Sequence, residues 1–240
     1  MKTSDYIIST INRLPKGYVF TYEDFNGKVK SKEAIIKALN RMAVSGKIEK
    51  LAKGKFYKPE ETVFGKLEPP KQQIVKDLLE ENGKTVGYPT GLSIYNEQGL
   101  TTQVSKAIQI GKNEIRPTFK RGRFTISFSR QKNTISKENI PLLQILDAVN
   151  QIKKIPDTTL NESVLRLIEI IRSLSEKDIS AIQRLSLKYP PSTRALLGAI
   201  MEFLKVGDPE ILKKSLNAIS IYKYPNLESV LPTAKNWNIK

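Results

Sequence analysis

The chain of 240 residues contains no cysteine and no histidine. Without cysteine there are no disulfides and no thiol nucleophile. Without histidine there is no imidazole base, and with both missing the usual zinc ligands are gone. Catalysis would have to run on carboxylates, hydroxyls, Lys or Arg. Apolar runs are also short, and none approaches the roughly 18 to 20 residues needed to cross a bilayer. The opening segment is punctuated by Asp5, Asn12 and Arg13 rather than built as a secretory leader, so a cytoplasmic protein is expected. Negative charge is in deficit as well. Twenty-four Asp and Glu stand against 40 Lys and Arg, a net +16 that favours polyanionic partners.

That excess is densest at the front, where residues 1–60 hold 13 basic and 6 acidic side chains. Tyr6, Ile7, Ile11 and Leu14 recur at helical spacing before Pro15-Lys16-Gly17. Thr21 is a good cap for the short segment Tyr22–Phe25, and Ser31 caps a longer helix from Lys32 to about Ser45, closed by Gly46. Lys47 to Lys58 carries Ile48, Leu51, Phe56 and Tyr57 around a basic turn, Ala52-Lys53-Gly54-Lys55, which predicts a hairpin. The order helix, strand, short helix, helix, hairpin is that of a winged helix-turn-helix over residues 1–62.

On a helical wheel, Lys32–Ser45 places Ile35, Ala38, Leu39 and Met42 on one side and Glu33, Lys37, Asn40 and Arg41 opposite. A recognition helix needs this division between a packed face and a donor-bearing face. Arg41 can pair bidentately with guanine and Asn40 with adenine, whereas Lys37 suits a phosphate. Lys28, Lys30 and Lys32 lead into the helix N-terminus, where backbone N–H groups and the dipole favour phosphate. Lys53 and Lys55 occupy the wing tip. The candidate DNA-binding set is therefore Lys30, Lys32, Lys37, Asn40, Arg41, Lys53 and Lys55, with double-stranded DNA as the expected partner. A purely protein-docking winged helix is the competing reading of the same fold.

Proline and glycine interrupt the pattern from Pro59 to Pro70, which predicts a linker at 63–70 and a second domain over 71–240. Lys71 to Glu81 reads as a helix. A small sheet is expected at about 84–130, with a helix near Gly91 to Gln98 and alternating strands at Ser105 to Ile110 and Arg123 to Ser129. Helices follow at about 140–220: Pro141 to Lys153, Leu160 to Leu174, one capped by Ser175, Thr193 to Lys205, and Glu210 to Ser220. The fold class is thus α+β, a winged helix followed by a mixed α/β segment and a C-terminal helical bundle. Arg116, Lys120, Arg121 and Arg123, interleaved with Phe119, Phe124 and Phe128, form a candidate second basic patch. The phenylalanine alternation also fits a strand burying one face. Arg194 sits near a helix start, against the dipole, and a buried pair with Glu169 or Glu202 is the expected explanation.

Signals for an enzyme are missing. A metal-dependent nuclease would need clustered carboxylates with a nearby Glu-x-Lys, and Asp157, Glu162 and Glu169 do not supply it. No G-x-x-x-x-G-K-S/T phosphate loop is present. No enzymatic activity, cofactor or metal is expected.

Three segments carry a resemblance to AbiEi-type antitoxins: Arg13-Leu-Pro-Lys-Gly-Tyr-Val-Phe-Thr-Tyr-Glu-Asp-Phe25, Lys32-Glu-Ala-Ile-Ile-Lys-Ala-Leu-Asn-Arg-Met-Ala43 and Lys53-Gly-Lys-Phe-Tyr-Lys-Pro59. Gly87-Tyr-Pro-Thr-Gly-Leu-Ser-Ile-Tyr95 and Gly99-Leu-Thr-Thr-Gln103 resemble that family's second domain, so the likeness spans about residues 5–130. It implies a bacterial DNA-binding repressor of its own two-gene abortive-infection operon, binding an inverted repeat as monomer or dimer. It further implies an antitoxin that counteracts a nucleotidyltransferase-like toxin in phage defence, without a stable complex. The alternative is a winged-helix regulator whose second domain binds a ligand or mediates dimerisation, with no toxin partner.

Overall fold

Two stretches of apolar side chains, one at each end of the chain, close separate cores in the computed structural model, which describes residues 3–27, 29 and 31–240. The chain divides into two compact units: Met1–Asp77 with Lys120–Phe124, and Leu78–Phe119 with Thr125–Lys240. The whole is a mixed α+β protein with a C-terminal helical region. Among the described residues, no helix is long and apolar enough to cross a membrane.

The first unit opens with α1 (Thr3–Arg13), which buries Ile7 and Ile11, and β1 (Val19–Phe20). A 3-10 turn, Tyr22–Phe25, follows, closed by a capping box between Thr21 and Asp24. In α2 (Lys32–Val44), the Ser31 hydroxyl accepts the Ala34 N–H, and Ile35, Ala38, Leu39 and Met42 face inward. Gly46, at φ +74°, ends that helix in the left-handed region, as a C-terminal glycine should. β2 (Glu49–Ala52) and β3 (Lys55–Tyr57) form an antiparallel hairpin, and β1 pairs with β3 to give a sheet of order β1-β3-β2. Phe20 anchors the core, edge-on to Phe25 (5.8 Å) and stacked on Phe56 (6.4 Å).

Beyond Tyr57 the structure departs from the sequence expectation. The stretch read as a linker is a second hairpin, β4 (Glu60–Thr62) and β5 (Gly65–Leu67), with Val63 and Phe64 exposed at its tip. The flanking prolines bound this hairpin instead of dissolving it. The helix expected over 71–81 is two short turns, α3 (Lys71–Ile74) and α4 (Lys76–Leu79), broken at Val75. A guanidinium from far along the chain, Arg121, takes the Ile74 carbonyl at 2.6 Å. A continuous helix would need that carbonyl for its own ladder.

In the second unit, β6 (Glu80–Glu81) and β7 (Lys84–Thr85) make a small hairpin. β8 (Gly87–Thr90), α5 (Leu92–Glu97), β9 (Ala107–Lys112), β10 (Phe119–Arg121) and β11 (Phe124–Arg130) follow, the last two lending their shared tip, Lys120–Phe124, to the first unit. The four-stranded sheet has order β10-β11-β9-β8, with β11 parallel and β8 antiparallel to β9. Phe124 and Ile126 are buried and Phe128 stacks on Phe119 at 6.2 Å, so the alternating phenylalanines serve packing.

α6 (Ile140–Gln151) continues into a 3-10 turn, Ile152–Lys154. α7 (Leu160–Arg172) begins with a Thr159–Glu162 capping box, α8 (Glu176–Ser186) with the Ser175 cap, and α9 (Pro191–Leu204) with proline in its first turn. Their apolar stripes form one core with the tail. α10 (Pro209–Lys213) stops well short of the expected Ser220. The tail returns through two 3-10 turns, Leu227–Ser229 and Pro232–Trp237, and bridges Tyr222 to Ile239. Trp237 lies against Gly198, where any Cβ would collide with its ring, so the glycine inside α9 makes room for the tail. Neither Glu169 nor Glu202 pairs with Arg194. Glu169 holds Arg166, Glu202 accepts from Asn236 and Trp237, and the Arg194 Nε is buried with no partner among the described residues.

Candidate nucleic-acid interface

The outward face of α2 is where the expected DNA-reading side chains gather. Lys37, Asn40 and Arg41 are exposed, together with Glu33, while the opposite face of the same helix is sealed in the first core. None of the three side chains makes a hydrogen bond or ion pair with a described residue. Arg41 also borders a cleft of about 280 Å³ beside α1, shared with Ser4, Ile8 and Lys47. Lys32, at the first position of α2, stands over the Tyr22 ring at 4.4 Å, a cation–π contact that fixes the ammonium beside the helix N-terminus. Lys30, and with it Lys28, lies outside the described residues.

At the β2–β3 turn, Gly54 adopts φ +73° and Lys53 is exposed. Lys55 differs from its neighbour. Its ammonium lies 3.1 Å from the Asp77 carboxylate, so it is engaged within the fold. Asp77 is the acid the sequence reading missed, and it also collects Arg121. The Arg121 side chain is only 8% exposed and donates from Nη1 to Asp77 Oδ1 (2.6 Å) and from Nη2 to Oδ2 (3.0 Å). Burial alone would raise the Asp77 pKa, but the Arg121 fork and then Lys55 more than offset it and hold the carboxyl below its usual range.

The candidate second basic patch is therefore largely consumed. Arg121 is buried in its ion pair, Arg123 pairs with Glu68, and Arg116 lies 3.8 Å from Glu81 in the second unit. Lys120 alone of the four is exposed without a partner among the described residues. Sequence proximity put four cations together. The acids that neutralise three of them come 35 to 55 residues earlier and carry no local signal.

A second polar arrangement, also missed, lies in the second unit. Asp147 on α6 accepts from Tyr88 Oη (2.7 Å) and Thr90 Oγ1 (2.8 Å) at Oδ2, and from Tyr189 Oη (2.7 Å) at Oδ1. Gln131 donates from Nε2 to both tyrosine oxygens at 2.8 Å, and its own carbonyl oxygen accepts from the Asn133 backbone. Desolvation raises the Asp147 pKa despite the three hydroxyl donors, and burial followed by the facing carboxylate raises those of Tyr88 and Tyr189. Tyr88 and Thr90 both belong to the Gly87-Tyr-Pro-Thr-Gly91 run, so a signal was present. Among the described residues no group of three His, Cys, Asp or Glu could hold a metal ion.

Comparison with known proteins gives fold and family. No curated protein matches the chain. A crystal structure of the RV2827C protein from Mycobacterium tuberculosis shares the fold, with a TM-score of 0.56 at 13% identity over 92% of this chain and 84% of that one. Residues 6–179 match the profile of a family of unknown function, DUF6088, and the chain belongs to that family.

Proposed function

We propose that the first unit is a winged helix-turn-helix that binds double-stranded DNA, and that the protein represses its own operon. The observation that carries this reading is the α2 face, where Lys37, Asn40 and Arg41 stand exposed and unpaired among the described residues on a helix whose other side is core. The order α1, β1, 3-10 turn, α2, β2, β3 supports it, because it sets α2 as a recognition helix and the β2–β3 turn as a wing. Arg41 and Asn40 reach base edges, Lys37 and Lys32 meet phosphates, and Lys53 tracks the backbone from the wing. Lys55, Arg121 and Arg123 drop out of the contact set because each already holds an acid. An inverted-repeat operator needs two such helices, supplied by two copies of the chain.

The resemblance to AbiEi-type antitoxins adds the second half of the proposal. In it, the second unit counteracts a nucleotidyltransferase-like toxin from the adjacent gene. Coexpression with that gene checks this role: rescue of growth supports it, and unrelieved toxicity removes it while leaving DNA binding standing.

Fluorescence anisotropy on DNA from upstream of the gene tests the DNA reading. The full chain is the right reagent, since Asp77 and 120–124 belong to the first unit. Replacing Lys37, Asn40 and Arg41 together by Ala is expected to lower affinity by about a hundredfold or more, from the usual worth of one bidentate base contact plus phosphate contacts. Equal affinity of wild type and triple variant would sink the assignment.

A further inference from the structure

Asp147, Asn150, Gln151 and Lys154 stand at positions i, i+3, i+4 and i+7 of α6 and the 3-10 turn that continues it. That spacing gathers four polar side chains on one stripe, and a polar stripe on a helix ordinarily faces open water. Here Asp147 and Gln151 are half-buried, Asn150 and Lys154 are exposed, and the stripe lines one side of an open-mouthed pocket of about 430 Å³ whose other walls include Thr90, Tyr95, Gln109 and Ser129. A cavity of that size lies within the range that takes a small organic ligand.

Part of the hydrogen-bonding capacity inside is unspent. The side chains of Gln109, Ser129, Gln151 and Lys154 have no hydrogen-bond or ion-pair partner among the described residues. Asn150 uses its Oδ1 to accept from Thr193 (2.9 Å), which leaves its NH₂ group unused. Asp147 sits at one end, its Oδ2 accepting from Tyr88 and Thr90 and its Oδ1 from Tyr189 alone, with no ion-pair partner among the described residues. The carbonyl end of α6 lies beside Gln151 and Lys154, so the Lys154 ammonium has to outweigh its negative potential to hold an anion there. Lys154 lies seven residues on, about 10 Å along the axis, and supplies the positive end.

An occupant must therefore present donors at one end, an anion at the other, and polar groups between. An α-amino acid carries both charges on one carbon and does not span the site. A divalent cation needs more oxygens than the one carboxylate offers. We propose that this cavity binds a mononucleotide, with base or ribose donors at Asp147, the Gln109, Asn150 and Gln151 amides along its length, and the phosphate at Lys154. The inference is independent of the DNA-binding reading, since every residue it uses lies in the second unit.

Equilibrium dialysis of the full chain against the 5′-monophosphates of adenosine, guanosine, cytidine and uridine, each beside its nucleoside, tests it. At least one monophosphate is expected to bind at submillimolar concentration, with its nucleoside about tenfold weaker. Lys154→Glu should cost about tenfold or more. Asp147→Asn should weaken binding too, but it disturbs three internal hydrogen bonds, so the exposed Lys154 carries the decision. Circular dichroism matching wild type shows that this variant is folded. No binding of any monophosphate at millimolar concentration, equal binding of nucleoside and monophosphate, or binding untouched by Lys154→Glu would each overturn the proposal.

Discussion

Two clusters of cations in the first unit look alike in the sequence and differ in the structure. Lys37, Asn40 and Arg41 project from α2 and, although Glu33 shares that face, none of their side chains is paired with an acid among the described residues. The hairpin tip at 120–124 holds more charge, three cations to two, yet Arg121 is locked to Asp77 and Arg123 to Glu68. Charge density therefore does not distinguish a surface meant for a polyanion from one that closes a fold. Pairing does. A cation already holding a carboxylate has neutralised the field a phosphate would feel, and it would have to break a bond to serve elsewhere.

The sharpest way to break this contrast is Arg121→Ala. It removes a buried guanidinium that satisfies Asp77 and the Ile74 carbonyl, and it should cost about 3 kcal/mol, at the low end for buried pairs because Asp77 is partly exposed. Urea denaturation measures it, and a loss below about 1 kcal/mol would place Arg121 with the surface charges after all. Arg41→Ala should do the reverse. DNA affinity falls by about tenfold to a hundredfold, the worth of one bidentate base contact, while the denaturation midpoint stays where it was. If Arg41→Ala unfolds the protein, or Arg121→Ala weakens DNA binding without touching stability, the two clusters have been assigned the wrong way round.

Much of the architecture was legible, because it depends on local patterns. Ile35, Ala38, Leu39 and Met42 at helical spacing gave the buried face of α2, and so the exposed one. The caps Thr21, Ser31 and Ser175 lie immediately before the turns they open. What escaped depends on distant partners. The break at Val75 follows from a guanidinium 47 residues beyond the Ile74 carbonyl. The hairpin at 60–67 was hidden by prolines that flank it. The Asp147 cluster leaves no local signature around the acid itself, because this carboxylate is surrounded by hydroxyls from residues 88, 90 and 189 and not by other carboxylates or Lys close in sequence. Its polar stripe on α6 had the right spacing but reads, in one dimension, as an ordinary solvated face.

The acids of the two units extend the comparison to pH. The Asp77 pKa is lowered in the folded protein, so its ion pair contributes stability that is fully present above the unfolded carboxylate value of about 4 and is lost as pH falls through the folded one. Asp147 is shifted upward, so acidification relieves a cost there instead. Asp77→Asn should flatten the acid limb of the stability curve, measured as denaturation midpoints from pH 2 to 6, roughly the span around carboxylate titration. An unchanged limb would mean that Arg121 does not depend on the Asp77 charge.

The smallest effects separate the clusters most finely. Lys37→Ala should weaken DNA binding only about threefold to tenfold, but it should reduce the slope of log affinity against log salt by about one, the signature of a lost phosphate contact. Arg123→Ala removes a cation of equal charge whose side chain is 64% exposed and paired with Glu68. It should leave that slope unchanged and shift stability by less than about 1 kcal/mol, as surface pairs do. Both variants lower the net charge by one, so any general effect of the basic field on DNA cancels between them. A salt slope that falls equally in both would mean that the pairing of Arg123 yields to phosphate, and that the hairpin tip joins the DNA-binding surface.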